Sequence, residues 1–144
     1  MSLFKIFDIA GSGMAAQSLR LNTVASNLAN ADSVSGSADT AYRAKEPLFA
    51  AIHRRELGQP RSEAEAEAGD GVRTVGITES QLPVQSRYEP GNPLADADGY
   101  VYGSNVNPVD ELVNMISASR TYQNNVEVMN SAKQLMLKTL DLGK

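Results

Sequence analysis

Both ends of the chain carry apolar residues at seven-residue intervals, the spacing that lines one seam of a coiled-coil helix. Near the N-terminus, two such series alternate at spacings of three and four, and residues 2–31 contain no proline. The first series contains Phe7, Met14, Leu21 and Leu28, and the second contains Leu3, Ala10, Gln17, Val24 and Ala31. The pattern predicts a helix of about 45 Å at ~1.5 Å per residue, longer than a compact domain of this size needs.

The C-terminal segment, residues 109–142, repeats this design. One series contains Leu112, Ser119, Val126, Lys133 and Leu140, and the other contains Met115, Tyr122, Met129 and Met136. Asn107 and Pro108 precede the segment as a helix cap and a first helical residue, and Gly143 follows it as a stop. Because each seam needs a partner to cover it, the two terminal helices are predicted to pair with each other as a coiled coil.

The central region predicts short strands. Five of the six prolines lie within residues 42–104. Val75 and Ile77 alternate with small or polar residues, and a second candidate strand precedes the turn-rich residues 89–93. Asp98 and Gly99 form a hairpin signal. The sequence therefore predicts an α+β fold with helices at residues 1–31 and 105–144 and a linker and β module at residues 32–104.

Two parts of this central region are predicted to be irregular. Residues 58–71 alternate glutamate with alanine and combine low hydrophobicity with high charge, which predicts a mobile loop. Residues 32–40 are rich in serine and glycine and are predicted to be a second flexible link.

Composition excludes several classes of function. The net charge is −4 and the 13 basic residues are spread along the chain, so no nucleic-acid partner is expected. No cysteine is available for a disulfide or a thiolate metal site. Asp8 interrupts the N-terminal apolar run, and no segment approaches the ~20 apolar residues of a membrane helix. We therefore expect no membrane insertion and no cleaved signal, and an aromatic content of 6% predicts a thin core.

Three motifs resemble chemical sites but have simpler interpretations. Gly11 and Gly13, with Ala16, match a dinucleotide fingerprint, yet no strand precedes them, and the pair is interpreted as a place where helices approach closely. Asp96 begins part of a calcium loop that lacks its final glutamate, so we expect a solvated turn. His53 has arginine neighbours and no adjacent nucleophile, which indicates a surface histidine. No cofactor is predicted.

Polar residues interrupt the seams and are predicted to select partners. Gln17, Ser119 and Lys133 would weaken a simple dimer but fix the register among several helices. We also expect asparagines on both helices to form buried hydrogen bonds between packed subunits, namely Asn22, Asn27, Asn30, Asn114, Asn124, Asn125 and Asn130. The predicted helix-packing and assembly residues are Phe7, Met14, Gln17, Leu21, Val24, Leu28, Leu112, Met115, Tyr122, Val126, Met129, Lys133, Met136 and Leu140.

Several short motifs together resemble the flagellar rod and hook protein family. They are IFDIAGSGM at residues 6–14, SNLANADS at 26–33, YEPGNPLAD at 88–96 and MISASR at 115–120. Two features depart from the family pattern: residues 30–33 read Asn-Ala-Asp-Ser where many relatives have Asn-Ala-Asn-Thr, and residues 58–71 match no family motif. Neither departure alters a seam position.

The resemblance implies a structural subunit of the proximal rod in the bacterial flagellar basal body, without enzymatic activity. Its terminal helices would polymerise with other rod subunits and with further copies of itself to form the drive shaft and export channel. The flagellar type III apparatus would export it uncleaved to the periplasmic rod. The alternatives are a soluble binding module, such as an export chaperone or coiled-coil adaptor, and a small nucleotide-dependent enzyme. An adaptor would not need the motif of residues 88–102.

The polar seam residues generate a mutational prediction. Replacing Gln17 or Lys133 by Leu should leave the chain soluble and exported but loosen its register with neighbouring subunits. An unpaired polar group on a seam costs about 1–3 kcal/mol, so the native side chains favour the register in which they find a polar partner, and leucine removes this preference. Motility should fall before the cellular level of the protein does. If both variants swim and assemble rods like the parent, the specificity lies elsewhere, in the asparagines off the seam.

Overall fold

The computed structural model describes residues 3–52 and 71–141 and shows an α+β fold. Two long terminal helices are in contact, and small antiparallel sheets are inserted between them in the sequence. The elements are α1 (Leu3–Ala29), β1 (Val34–Ser35), β2 (Lys45–Ile52), β3 (Gly71–Glu79), β4 (Gln85–Tyr88), β5 (Tyr100–Gly103) and α2 (Pro108–Asp141). The predicted fold class is therefore confirmed. His53, residues 58–70 of the predicted mobile loop, and Gly143 lie outside the described residues.

The start of α2 is capped as the sequence predicts. Asn107 Oδ1 accepts a hydrogen bond of 3.1 Å from the backbone N–H of Val109, and Pro108 is the first helical residue. The side-chain amide of Asn107 also donates to Asp110 Oδ2 at 2.8 Å. Acidic residues in the first turn and Lys138 in the last turn complement the helix dipole.

The central region contains two sheets. In the first, β5 lies between β1 and β4 and pairs antiparallel with both. The second contains β2 and β3. The sequence did not predict β1, which lies inside the expected flexible link 32–40, because two residues are too short to show alternation. It did not predict β2 because Pro47 lowers strand propensity, but in a two-stranded sheet every strand is an edge, where proline is tolerated.

A hydrogen-bonded turn joins β4 to β5. Asp96 Oδ1 accepts hydrogen bonds from the backbone N–H groups of Asp98 and Tyr100 at 3.0 and 2.8 Å, and Asp96 Oδ2 accepts one from the Tyr102 hydroxyl. The Tyr100 N–H is the main reason that the pKa of the Asp96 carboxyl lies below its ordinary value. Gly99 adopts a φ of 82° at the end of the turn, a conformation that glycine adopts without strain. The acidic motif thus organises this turn internally.

The chain divides into two compact units. One contains the described residues of Met1–Leu19, Leu48–Gly76 and Ala118–Lys144, and the other contains Arg20–Pro47 and Ile77–Ser117. In the first unit, the Ser12 hydroxyl accepts a hydrogen bond of 3.1 Å from the backbone N–H of Val72 and so attaches β3 to α1. In the second unit, the Ser104 hydroxyl donates to the carbonyl of Ala31 at 2.6 Å.

The apolar core is thin, as the composition predicts. Within the described residues, every buried apolar side chain is an alanine or a valine, and Val101, at 0% exposure, is the largest of them that is fully enclosed. Larger apolar side chains remain exposed on the strands and along α2. A single chain therefore leaves many leucine, isoleucine and valine side chains partly in water, and its folding gains correspondingly little hydrophobic free energy from them.

The two glycines of α1 differ in their surroundings, and this difference predicts a matched pair of mutants. A Cβ at position 11 meets nothing within 4 Å, so Gly11→Ala should raise the free energy of unfolding by about 1 kcal/mol through helix propensity. A Cβ at position 13 would lie 2.9 Å from Asn125 Nδ2, so Gly13→Ala should gain less, because that side chain must move. Urea denaturation of the purified chains measures both effects. A larger gain from Gly13→Ala would contradict this assignment.

Candidate helix-packing and assembly site

The predicted seam of α1 faces the interior of the chain. Ala10 and Val24 are 3% and 4% exposed, and Gln17 between them is half-buried. The alternating series consists of four half-buried side chains: Phe7, Met14, Leu21 and Leu28. The two series therefore form the inner and the flanking positions of the helix. Whether the half-buried residues also contact other subunits stays a prediction.

The helices contact each other through a polar and small-residue surface. In the first unit, Gly13 lies against the side chain of Asn125. In the second unit, the Arg20 guanidinium donates a 3.0 Å hydrogen bond to Asn114 Oδ1, and the Asn27 side chain lies close enough to the Glu111 carboxyl to lower its pKa. Because the later residue of α1 contacts the earlier residue of α2, the helices in this unit are antiparallel.

The inward face of α2 lies one position earlier in each heptad than one of the predicted series. Ala118 and Ala132 are 0% and 3% exposed, and each lies seven residues from Asn125, which contacts α1. The series begun by Leu112 is rotated from this face: Leu112 and Leu140 are 50% and 63% exposed. Lys133 is also exposed, while Ser119 and Val126 are half-buried. The sequence did not distinguish the two registers because alanine and asparagine give a weak hydrophobic signal.

The second predicted series of α2 flanks the contact with α1. Met115, Met129 and Met136 are half-buried, and Tyr122 is 38% exposed. Each of these side chains has one covered side and one side that faces outward. An assembly role for them, and for the exposed Leu112, Lys133 and Leu140, stays a prediction.

Asn27 forms a buried junction between α1 and β2. Its side chain is 1% exposed. The amide nitrogen donates to the Lys45 carbonyl at 3.0 Å, while Oδ1 accepts from the Lys45 N–H at 2.9 Å and from the Tyr42 hydroxyl at 3.1 Å. The Tyr42 hydroxyl also lies 3.2 Å from the Ser26 hydroxyl. This residue was expected to hydrogen-bond between subunits, but these partners lie within its own chain.

The other asparagines predicted to form buried hydrogen bonds between subunits divide into two groups. Asn30, Asn114 and Asn125 are half-buried, and the amide of Asn30 donates to the Ser26 carbonyl at 2.8 Å within the same helix. Three others lie on the exposed surface of the helices: Asn22, Asn124 and Asn130. Only this exposed group is fully available to other subunits.

A second amide, which sequence analysis missed, connects the ends of β2 and β3. Asn105 Oδ1 accepts a 2.7 Å hydrogen bond from the backbone N–H of Ala44. Its amide nitrogen donates to the carbonyls of Ser80 and Leu82 at 3.3 and 2.9 Å, and the Arg43 guanidinium reaches the same two carbonyls. No periodic signal marks Asn105, because it lies in the connection before α2.

Glu111 brings a carboxylate into the helix contact. Burial raises the pKa of this carboxyl above its ordinary value, while the hydrogen bond from Asn27 and the charge of Arg20 act in the opposite direction. The carboxylates of Glu46 and Asp110 also raise it. Glu111 Oε2 is buried and has no hydrogen-bond partner within residues 3–52 and 71–141. The carboxyl is therefore incompletely compensated in the single chain.

Gln17 Oε1 is a second buried oxygen without a partner in the described parts of the chain. A buried unsatisfied acceptor costs about 1–3 kcal/mol. This is the residue for which the seam pattern predicts a partner from another subunit. That partner stays a prediction.

The features that resembled a nucleotide site do not form one. Gly11 and Gly13 lie inside α1, and the first strand follows that helix. A small cleft lies beside Asp32, Gln85 and Arg87. Its volume of about 150 Å³ is below the ~300–1,000 Å³ of typical ligand pockets.

Among the described residues, no helix combines the length and the apolar character needed to cross a membrane.

The regions that contain the two helices match families of known proteins. The family "Flagella basal body rod protein" matches residues 7–36, and the family "Flagellar basal body rod FlgEFG protein C-terminal" matches residues 97–142. The flagellar basal-body rod protein FlgC of Salmonella typhimurium is 54% identical over 144 residues, covering 100% of both chains. The chain belongs to the FlgC family of flagellar basal-body rod proteins. FlgC proteins of Escherichia coli O6:H1 and Yersinia enterocolitica are 54% and 53% identical, again over 100% of each chain.

Membership of the FlgC family accounts for the distribution of motifs along the chain. The two matched regions contain most of α1 and all of β5 and α2. FlgC-family proteins are structural rod proteins and not enzymes. No catalytic role is therefore assigned to the glycine or aspartate motifs.

The Asn27 junction predicts a large and local effect on stability. Asn27→Leu should lower the free energy of unfolding of the purified chain by about 3 kcal/mol, because the N–H and C=O of Lys45 lose their partner where water cannot replace it. Asn22→Leu is the matched control, since Asn22 is an exposed asparagine of the same helix. Denaturant titration measures both variants. Equal losses would show that Asn27 does not act through these bonds.

Proposed function

We propose that this chain is a structural subunit of the proximal rod of the flagellar basal body. It polymerises through α1 and α2 with other rod subunits and with further copies of itself. The packed helices surround a channel through which later components are exported, and they transmit torque as part of the drive shaft. Family membership supports the rod assignment, and the helix surfaces support the mode of assembly.

One observation carries the proposal: α2 leaves large apolar side chains exposed along most of its length. They are Val109, Leu112, Val113, Ile116, Tyr122, Val128, Leu135, Leu137 and Leu140. A surface helix of a monomeric protein normally carries charged and polar residues on the face opposite the core. Extended apolar surface on a folded chain indicates contact with other proteins. Neighbouring rod subunits provide such contacts on several sides of the helix at once.

Export is the second part of the proposal. A periplasmic rod subunit without a cleaved signal must reach the rod through the flagellar type III apparatus, which is then a transient partner. Asp8 interrupts the N-terminal apolar run, which supports an intact N-terminus in the mature subunit. Mass spectrometry of the chain from purified basal bodies should therefore recover its N-terminal peptide.

A matched pair of variants on α2 tests the proposed function. Leu135 is 59% exposed and Gln134 beside it is also exposed, so neither replacement by Glu should unfold the chain. Leu135→Glu should block incorporation into basal bodies, because a carboxylate would enter an apolar contact, whereas Gln134→Glu should be incorporated to a much larger extent. Immunoblots of purified basal bodies and swimming in soft agar measure the difference.

The proposal fails if the parent chain stays in the cytoplasm and is missing from purified basal bodies. That result would instead favour a chaperone or adaptor that uses the same helices. Equal incorporation of the two variants would leave the rod assignment intact but would remove α2 from its mode of assembly.

A further inference from the structure

The first turns of α2 carry an apolar stripe that faces away from α1. Val109, Leu112, Val113 and Ile116 are between 50% and 67% exposed. Their spacing of three and four residues places them on one side of the helix, opposite Glu111 and Ala118, which lie on the inward face. Arg120 is exposed and lies one turn beyond Ile116 on the same side. We call these four apolar residues the α2 stripe.

The outward face of α1 has the opposite character. Its exposed positions from residue 15 onward are small or uncharged, namely Ala15, Ser18, Asn22, Ala25 and Ala29. Arg20 is the only charged residue from 9 to 29, and its guanidinium is bound to Asn114 of the same chain. A surface helix in contact with water normally shows charged residues on this side. A charge-free face of small side chains instead allows another helix to approach closely.

Gly11 extends this face, and contacts within residues 3–52 and 71–141 do not explain it. A Cβ at Gly11 would meet nothing within 4 Å, whereas one at Gly13 would meet Asn125. A glycine within a helix costs about 1 kcal/mol relative to alanine. The space beside Gly11 is consistent with a side chain from a second molecule.

We propose that the α2 stripe of one copy packs antiparallel on the segment Gly11, Ala15 and Ser18 of α1 in a second copy. This inference rests on the proposed function and specifies one contact within it. Ile116 lies over Gly11, Val113 over Ala15 and Val109 over Ser18, since both segments span about 10.5 Å at ~1.5 Å per residue. Large side chains of one helix thus fill the space left by small residues of the other.

Charge complementarity fixes the direction of this contact. Arg120 lies four residues beyond Ile116, and Asp8 lies three residues before Gly11; both are exposed. In the antiparallel arrangement the guanidinium of one copy therefore meets the carboxylate of the other. Within a single chain, Gly13 lies against Asn125. Asp8 lies five residues before Gly13, and Arg120 lies five residues before Asn125. Because the two helices are antiparallel, Asp8 and Arg120 lie on opposite sides of this contact along the helix axis. The ion pair can form only between copies.

The contact is heterologous, because it joins two different surfaces of the same chain. A second copy that offers its α1 face still has its own α2 stripe available for a third. Such contacts generate rings or open helical assemblies and not closed dimers. The copies of this chain in one rod would therefore contact each other directly in sequence.

Cysteine cross-linking tests the contact, because the chain has no native cysteine. Cells express Ala15→Cys/Val113→Cys, basal bodies are purified, and a short bismaleimide is added before electrophoresis. We expect ladders of the cross-linked chain from the double variant and none from either single variant. In the double-cysteine background, Asp8→Arg and Arg120→Asp should each reduce the ladder several-fold, and the two together should restore it. Ser86→Cys/Val113→Cys is the control, since Ser86 is exposed on β4.

The outcomes separate this inference from the proposed function. Absence of the chain from basal bodies would refute the rod assignment itself. Its presence without a ladder, or a charge reversal without rescue, would overturn the contact alone. A dimer from Val113→Cys alone would indicate stripe-to-stripe packing. A ladder from Ser18→Cys/Ile116→Cys with none from Ser18→Cys/Val109→Cys would indicate the parallel arrangement. A cross-link to a different rod protein would show that the stripe has another partner. Each of these three results would also overturn the proposal.

Discussion

The buried amide of Asn27 fixes the geometry on which the rest of the second unit depends. It bonds both backbone groups of Lys45, so the first residue of β2 is held against the last turns of α1. The same side chain lies beside Glu111 in the first turn of α2 and lowers the pKa of its carboxyl. One side chain thus connects both helices and a strand. Because the amide is fully enclosed, displacement of any of these elements would leave polar groups unpaired where water cannot reach them.

The chain uses its small residues inside and its large apolar residues outside. Ala118 and Ala132 line the contact of α2 with α1, whereas Leu135, Leu137 and Leu140 face outward. A core of alanine and valine permits close helix packing but removes little apolar area from water. The larger side chains can contribute their hydrophobic free energy only when other subunits cover them. The same distribution of residues therefore gives a single chain little hydrophobic stabilisation and leaves apolar surface that other subunits can cover.

Several elements were predictable because they depend on local pattern. The heptad spacing indicated both helices, and Asn107 with Pro108 indicated the start of α2. The alternation around Val75 indicated β3. The short β1 was not predictable, since its two residues are defined only by their pairing with Tyr102 and Gly103. The roles of Asn105 and Asn27 were also hidden, because a hydrogen-bonding side chain shows its partners only after distant segments meet.

The sequence by itself determined that a small β module lies between two long helices along the chain, because helical and strand periodicities are local properties of the chain. It also determined the family, through motifs distributed over both ends. The tertiary structure alone decided which face of α2 meets α1. Alanine, asparagine and glutamate form that face, and these residues carry little hydrophobic signal. Their position inside follows from close backbone approach and hydrogen-bond satisfaction, which depend on the geometry of both helices together and not on either segment alone.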